Sequence, residues 1–315
     1  MKKSMIAVMC TAIISIFFMN GCAMHLEQSV SATNNEAVSE TKEDGVQIGV
    51  ALYSVQNEYT KRFADAIQEQ AEQMEIEVQL YDGNYDASRQ NAQVEEMIQN
   101  GVDGILIIPQ DSEDCVEAVE SACEAGIPIV AVNTRVHSEK ISSYVGSDDT
   151  EAGKLVAESI AEVLNGAGNI VILEGPIGQS AQQERLKGIK DVLAEYPELH
   201  VIGNKTANWS RLEAKSVMTK WLQTFDRIDA VIAENDDMAL GALDAIKETD
   251  KEIYVVGIDG SEEGIQAVEE GRMYMTVFQD AESQSQSALE VILKCMNGES
   301  VEESYWIPLK KIEYQ

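Results

Sequence analysis

The sequence predicts an α/β protein of two lobes, each a parallel sheet with helices on both faces. Three observations predict it. From Val46 onward, short near-continuous apolar runs alternate with amphipathic stretches of helical period. The same rhythm restarts at Thr150, so two sets of elements follow one another. The chain has 315 residues, 44% of them hydrophobic, which suffices for two cores without disulfide staples.

The chain begins with an address. Lys2 and Lys3 precede an apolar stretch from Met5 to Met19, too short for a comfortable membrane span. Gly21-Cys22 then resembles the cleavage site of bacterial lipoproteins. Residues 1–21 therefore read as an export signal, and Cys22 as a lipid-carrying anchor on the bacterial cell membrane. Residues 22–45 hold few hydrophobics and much Gln, Ser, Asn, Glu and Thr, so they read as a flexible tether.

The elements of the first set follow in order. Val46 to Tyr53 is an apolar run that reads as a strand. Tyr59 to Met74 places Phe63, Ala66, Ile67, Ala71 and Met74 at helical spacing. Ile76 to Tyr81 is a strand, and Asn91 to Gln99 a helix stopped by Asn100-Gly101. Gly104 to Ile108 is a strand ended by Pro109. A helix from Glu113 to Ala125 ends at Gly126, and Ile129 to Val132 and Ser143 to Val145 are the last strands of the set. In the second set the strands are Ile170 to Leu173, Val201 to Gly203, Ala230 to Ala233, Tyr254 to Ile258 and Tyr274 to Phe278. The helices are Glu151 to Leu164, Glu184 to Leu193, Leu212 to Phe225, Met238 to Ile246 and Glu263 to Glu270.

Composition excludes several functions. The formal charge is −32, which argues against a nucleic-acid groove and disfavours anionic ligands. Of five cysteines, Cys10 lies in the signal and Cys22 is the anchor. Cys115 and Cys123 lie eight apart on one helix, about 12 Å of rise, too far for a disulfide. With Cys295 they read as small buried hydrophobes. His25, His137 and His200 are scattered, so no metal site and no cofactor is expected. No G-x-G-x-x-G follows the first strand. No phosphate loop, nucleophile elbow or H-E-x-x-H helix occurs, which disfavours an enzyme. An export signal where a helix-turn-helix would stand disfavours a repressor.

The strand ends carry the functional signal. Open α/β sheets bind ligands beyond the carboxyl ends of their strands. Those ends here hold Asn57, Gln110-Asp111, Asn133-Thr134-Arg135, Asn235-Asp236, Asp259-Gly260 and Gln279-Asp280. One Asn after a strand is an ordinary helix cap. Several such groups from both sets predict a polar cleft between the lobes.

From Val46 to Ile312 the chain resembles the periplasmic-binding-protein type I group of sugar-binding lipoproteins, of ribose-binding kind, that serve ABC importers. The residues that carry the resemblance are Gly101-Val102-Asp103-Gly104-Ile105, Gly126-Ile127-Pro128-Ile129-Val130, Val145-Gly146-Ser147-Asp148, Asn235-Asp236-Asp237-Met238-Ala239-Leu240-Gly241-Ala242 and Val256-Gly257-Ile258-Asp259-Gly260. It implies two Rossmann-like lobes joined by a three-crossing hinge. The first lobe would be 46–147 plus 280–307 and the second 148–279 plus 308–315. Crossings would lie at Ser147-Asp148, Gln279-Asp280 and near Ile307-Pro308.

The resemblance also implies the ligand contacts. Asn57 would be a polar contact and Tyr59 an aromatic wall. Asn133 stands where the group often has Asp, with Thr134 at the following Arg position and Arg135 one later. Arg185 matches an arginine that contacts sugar hydroxyls, and Trp209 the opposing aromatic wall. Asn235, Asp259 and Gln279 match three further hydroxyl-binding positions. Tyr53 stands where a small hydroxyl residue is usual and Ile108 where Asn is usual, which points away from ribose. Thr206 to Arg211, Val277 to Ala281 and Trp306-Ile307-Pro308 resemble the inositol- and rhizopine-binding branch. The implied function is a monomeric, non-enzymatic receptor for a neutral monosaccharide or cyclitol, myo-inositol first, that hands its ligand to an ABC permease when closed. The alternative is a ribose- or galactose-type receptor that presents its ligand to a membrane sensor.

Overall fold

The computed structural model describes residues 45–314. The expected export signal, Cys22 and the tether lie outside the described residues, apart from Gly45.

The first set of elements is β1 (Gln47–Leu52), α1 (Glu58–Gln73), β2 (Glu77–Asp82), α2 (Ala87–Asn100), β3 (Gly104–Ile108), α3 (Val116–Glu124), β4 (Ile129–Val132) and β5 (Ser143–Gly146). The second is α4 (Asp149–Val163), β6 (Ala167–Glu174), α5 (Ser180–Leu193), β7 (Glu198–Thr206), α6 (Arg211–Thr224), β8 (Ala230–Ala233), α7 (Asp236–Ile246), β9 (Tyr254–Asp259), α8 (Glu262–Glu269) and β10 (Met275–Phe278). The chain closes with α9 (Ala281–Met296), β11 (Ser304–Trp306) and β12 (Lys310–Glu313).

Two six-stranded sheets result, in the orders β11-β5-β4-β3-β1-β2 and β12-β10-β9-β8-β6-β7. Among the described residues every pairing is parallel except that of β12 with β10. The central strands β3, β4 and β8 are buried along their whole length, as strands covered on both faces must be. The chain thus passes from the first sheet to the second after β5, back after β10 by way of α9, and over again between β11 and β12. α9 packs on α1 and on β3 and β4 of the first sheet.

Helix starts are set by polar side chains that accept a backbone N–H in the first turn. Asn57, Asp86, Asp148, Ser210, Asn235, Ser261 and Asp280 all cap in this way. Asp86 explains why α2 begins at Ala87, four residues before the apolar periodicity predicts. α2 ends at Gly101, whose φ of 72° only glycine adopts without cost.

The structure corrects the reading of the cysteines. Cys115 is buried but precedes α3 as its cap residue, Cys123 lies on the exposed face of that helix, and Cys295 is half-buried. Eight residues of helix turn a side chain by about 80°, enough to carry the second cysteine off the core face.

Candidate ligand-binding cleft

The carboxyl ends of the strands of both sheets converge on a cavity of about 260 Å³ of empty space. It is lined by Tyr53, Asn57, Tyr59, Asn133 and Thr134 from the first lobe and by Gln179, Ala181, Arg185, Trp209, Asn235 and Asp259 from the second. Eight of the ten residues expected from sequence are thus together. Gln279 is buried directly behind them, and Arg135 stands apart.

Two of the lining asparagines serve twice. Asn57 Oδ1 accepts from Thr60 N–H at 3.2 Å and Asn235 Oδ1 from Met238 N–H at 2.9 Å. Because a backbone N–H only donates, these bonds fix which end of each amide is oxygen, and leave the NH₂ groups as the remaining donors. Thr134 Oγ1 donates to the Pro109 carbonyl at 3.2 Å, so its lone pairs are what it offers to a ligand.

A polar chain then crosses from one lobe to the other. Asn133 Nδ2 donates to Gln279 Oε1 at 3.3 Å, and Gln279 Nε2 donates to Asp259 Oδ1 at 3.0 Å. Asp259 Oδ1 lies 3.9 Å from Arg185 Nη1. Arg185 Nε donates to Asp149 Oδ1 at 2.8 Å, and its Nη1 donates to the Glu234 carbonyl. Arg185 is only 3% exposed. Burial pulls its guanidinium pKa down, but Asp149, Asp259 and Glu234 outweigh burial and raise it above the ordinary value. Burial raises the carboxyl pKa values of Asp149 and Asp259, with Arg185 pulling the other way. Burial also holds Glu234 well above the carboxylate range, against the Gly175 N–H that bonds it and against Arg185.

The aromatic walls are equally constrained. Trp209 donates its indole N–H to Gln179 Oε1 at 2.6 Å and stands 5.3 Å from the Arg185 guanidinium. Its ring lies flush on Gly175, where a Cβ would meet it at 2.1 Å. Tyr59 is 3% exposed and its hydroxyl has no hydrogen-bond partner among the described residues. A buried unpartnered hydroxyl costs about 1–3 kcal/mol, and its cavity-lining position lets a ligand hydroxyl relieve that cost.

Backbone strain gathers here as well. Asn133, Trp209 and Asp259 have φ of 60°, 57° and 127°. Such conformations cost of order 1–3 kcal/mol in non-glycine residues and collect at binding sites held by their surroundings.

Arg135 lies at the lobe junction and does not line the cavity. Its guanidinium stacks 3.8 Å from the Tyr144 ring centre and 5.0 Å from that of Trp306, and its Nε is 3.9 Å from Glu184 of the second lobe. Arg135 thus stays out of the cavity, while Thr134 lines it. Sequence reasoning missed Gln179, Asp149 and Glu234. Asp149 reads as a first-turn acid beside the cap Asp148, Glu234 as the residue before a cap, and Gln179 as part of a turn. Asp236, an acid in the first turn of α7, is fully buried. It accepts from Thr276 Oγ1 at 2.7 Å and Ser261 N–H at 2.8 Å, fixing the turn that carries Asp259. Among the described residues no group of acids, cysteines and histidines could hold a metal ion.

Comparison with known proteins identifies the family and the fold. Residues 48–300 match the model of the periplasmic binding protein domain. A xylitol-binding protein of Mycolicibacterium smegmatis is 38% identical over 86% of this chain and 76% of its own. A ribose import binding protein of Bacillus subtilis is 32% identical over 98% of both. A solute-binding protein of an ABC transporter from Bacillus halodurans, solved with bound myo-inositol, superposes with a TM-score of 0.82. It is 35% identical and covers 87% of this chain and 96% of that one. Such proteins are extracytoplasmic and bind solutes for transport without chemical turnover. The chain belongs to the periplasmic-binding-protein family, in its type I sugar-binding group.

Proposed function

We propose that the protein is the solute receptor of an ABC importer and that its ligand is a neutral cyclitol or monosaccharide, with myo-inositol the first choice. The observation that carries this reading is the composition of the cavity wall. Trp209 and Tyr59 offer ring faces for the C–H faces of a small ring. Around them stand amide donors, Thr134, Arg185 and Asp259, which suit a rim of hydroxyls pointing in many directions. Tyr53 narrows the end of the cavity where sugar-binding relatives of ribose type have a small hydroxyl residue. Likeness to the myo-inositol-bound protein supports the cyclitol. Likeness to the xylitol and ribose proteins keeps open-chain polyols and pentoses in the panel.

Asn57, Tyr59, Asn133, Thr134, Arg185, Trp209, Asn235 and Asp259 would touch the ligand, with Gln279 holding Asp259 and Asn133 behind them. The lobes close on the ligand, and the closed pair is the surface a permease reads. Lipid on Cys22 would keep the receptor at the membrane. Titration calorimetry against myo-inositol, xylitol, ribose and allose tests the ligand, and small-angle scattering tests closure. Binding to none of them sinks the reading; compaction by a different member of the panel corrects only the ligand. Intact mass of the membrane-extracted protein, compared with Cys22→Ser, tests the anchor.

A further inference from the structure

Three consecutive residues of the second lobe bond to the first. Gly178 accepts from Ser112 N–H through its carbonyl at 3.0 Å. Gln179 Nε2 donates to the Pro109 carbonyl at 3.4 Å. Ser180 Oγ accepts from Arg135 N–H at 2.7 Å. Gly178 and Gln179 end the turn from β6 into α5 and Ser180 opens that helix, and Gln179 is 1% exposed. The other end of the same amide, Oε1, is the acceptor of the Trp209 indole N–H at 2.6 Å. An indole N–H only donates and a carbonyl only accepts, so both neighbours dictate one orientation of Gln179. The amide is therefore bonded at one end to the opposite lobe and at the other to an aromatic wall of the cavity.

We propose that Gln179 is a positioning residue that couples closure of the lobes to the setting of Trp209. The proposal rests on the reading of the cleft as the ligand site. When the lobes part, Pro109 leaves Nε2, the amide is released to turn, and the indole loses its fixed acceptor. When a ring seats against Trp209, the indole holds Gln179 Oε1 and aims Nε2 at the carbonyl it meets on closure. Coupling of this kind works equally in both directions. It also explains why a turn residue is buried on both sides by polar partners rather than left in solvent.

Two substitutions separate the two ends. Gln179→Glu keeps an acceptor for the indole but replaces the donor to Pro109 by an oxygen. Gln179→Leu removes both. The full mature chain is followed by nuclear magnetic resonance without sugar and with myo-inositol, xylitol, ribose or allose at saturation. Exchange of the Ser112 and Arg135 amides reports closure, and the indole N–H signal, assigned by its loss in Trp209→Phe, reports the wall. In Gln179→Glu the two amides should exchange about five-fold faster or more, within the usual range of coupling, while the indole signal stays near wild type. In Gln179→Leu the amides should quicken and the indole signal should also move. Wild-type exchange of both amides in Gln179→Glu overturns the proposal. So does an unmoved indole signal in Gln179→Leu, or a wild type whose two amides are unprotected under every condition. If no sugar perturbs the wild type, the ligand reading fails, while the variant comparison without sugar still decides the coupling.

Discussion

At Arg185 a side chain expected to hold ligand hydroxyls turns out to hold the protein as well. Its bond to Asp149 and its approach to Asp259 leave one guanidinium between two buried acids. Removing one partner of such a cluster leaves uncompensated buried charge and typically costs about 3–5 kcal/mol. Arg185→Met should therefore lower the urea unfolding midpoint of the ligand-free protein as well as weaken binding. Arg185→Met with Asp149→Asn should recover part of the stability and none of the affinity. A wild-type midpoint for the single variant would show that the acids tolerate its loss, by protonation or by water. Trp209→Phe is the gentler probe. It keeps a ring on Gly175 but leaves Gln179 Oε1 without its donor, at about 1–3 kcal/mol. Calorimetry should see this as weaker binding of about ten-fold or more.

Among the elements, α4 and α5 approach more closely than any side chain would allow. A Cβ on Gly153 would lie 2.0 Å from the Arg185 carbonyl, and one on Gly188 would lie 2.0 Å from the Thr150 carbonyl. This contact of backbone on backbone is what sets Asp149 of α4 against Arg185 of α5. Gly153→Ala should push the helices apart, cost about 1–3 kcal/mol as overpacking does, and loosen the ion pair. A crystal structure with the pair intact and unchanged ligand affinity would refute that link. Much of the architecture could be read at this scale from the chain alone. Strands such as Gly104–Ile108 and Ala230–Ala233 are pure apolar runs between turn residues, so both ends were legible. β11 and β12 were not, being three and four residues long, with Lys310 and Lys311 masking the second. In the cleft, Asn57, Asn235 and Asp259 were legible because each directly ends a strand or opens a helix. Asp149 and Glu234 were not, because a buried acid beside a cap looks like an exposed one until packing places it. Gln179 has no sequence mark, since its two partners lie 70 and 30 residues away.

Over the whole molecule the buried acids set a pH dependence. Burial pushes Asp236 up to about 7 against the bonds from Thr276 and Ser261. Burial, then the charge of Glu58, pushes Asp237 up to about 6. Asp149, Asp259 and Glu234 shift in the same direction. Each pKa is higher folded than in the unfolded chain, where carboxyls titrate near about 4. Between those values the folded state binds more protons, so stability rises as pH falls. The stabilisation is complete below about 4 and is lost as pH climbs through about 7, at roughly 1.4 kcal/mol per pH unit for each group within its own window. Urea midpoints should therefore be higher at pH 5 than at pH 8, and Asp236→Asn should flatten the slope. A midpoint that rises from pH 5 to pH 8 would contradict the assignment.

The position of β11 has a consequence for the order in which the molecule is made. The far edge of the first sheet is completed by a segment bonded to Ser143 across 159 residues of chain. α9, which covers the same sheet, also follows the whole second set. As the chain is made from its N-terminus, strands β1 to β5 must wait for both α9 and β11 until the whole second set has been made, whereas strands β6 to β10 then lack only β12. Pairings of such long separation form slowly, because the intervening loop must close before they reward it. The first lobe is then an incomplete sheet with an open edge at β5 for as long as synthesis or transit lasts. That edge is where a bound chaperone, or a mispaired neighbour, would find the chain.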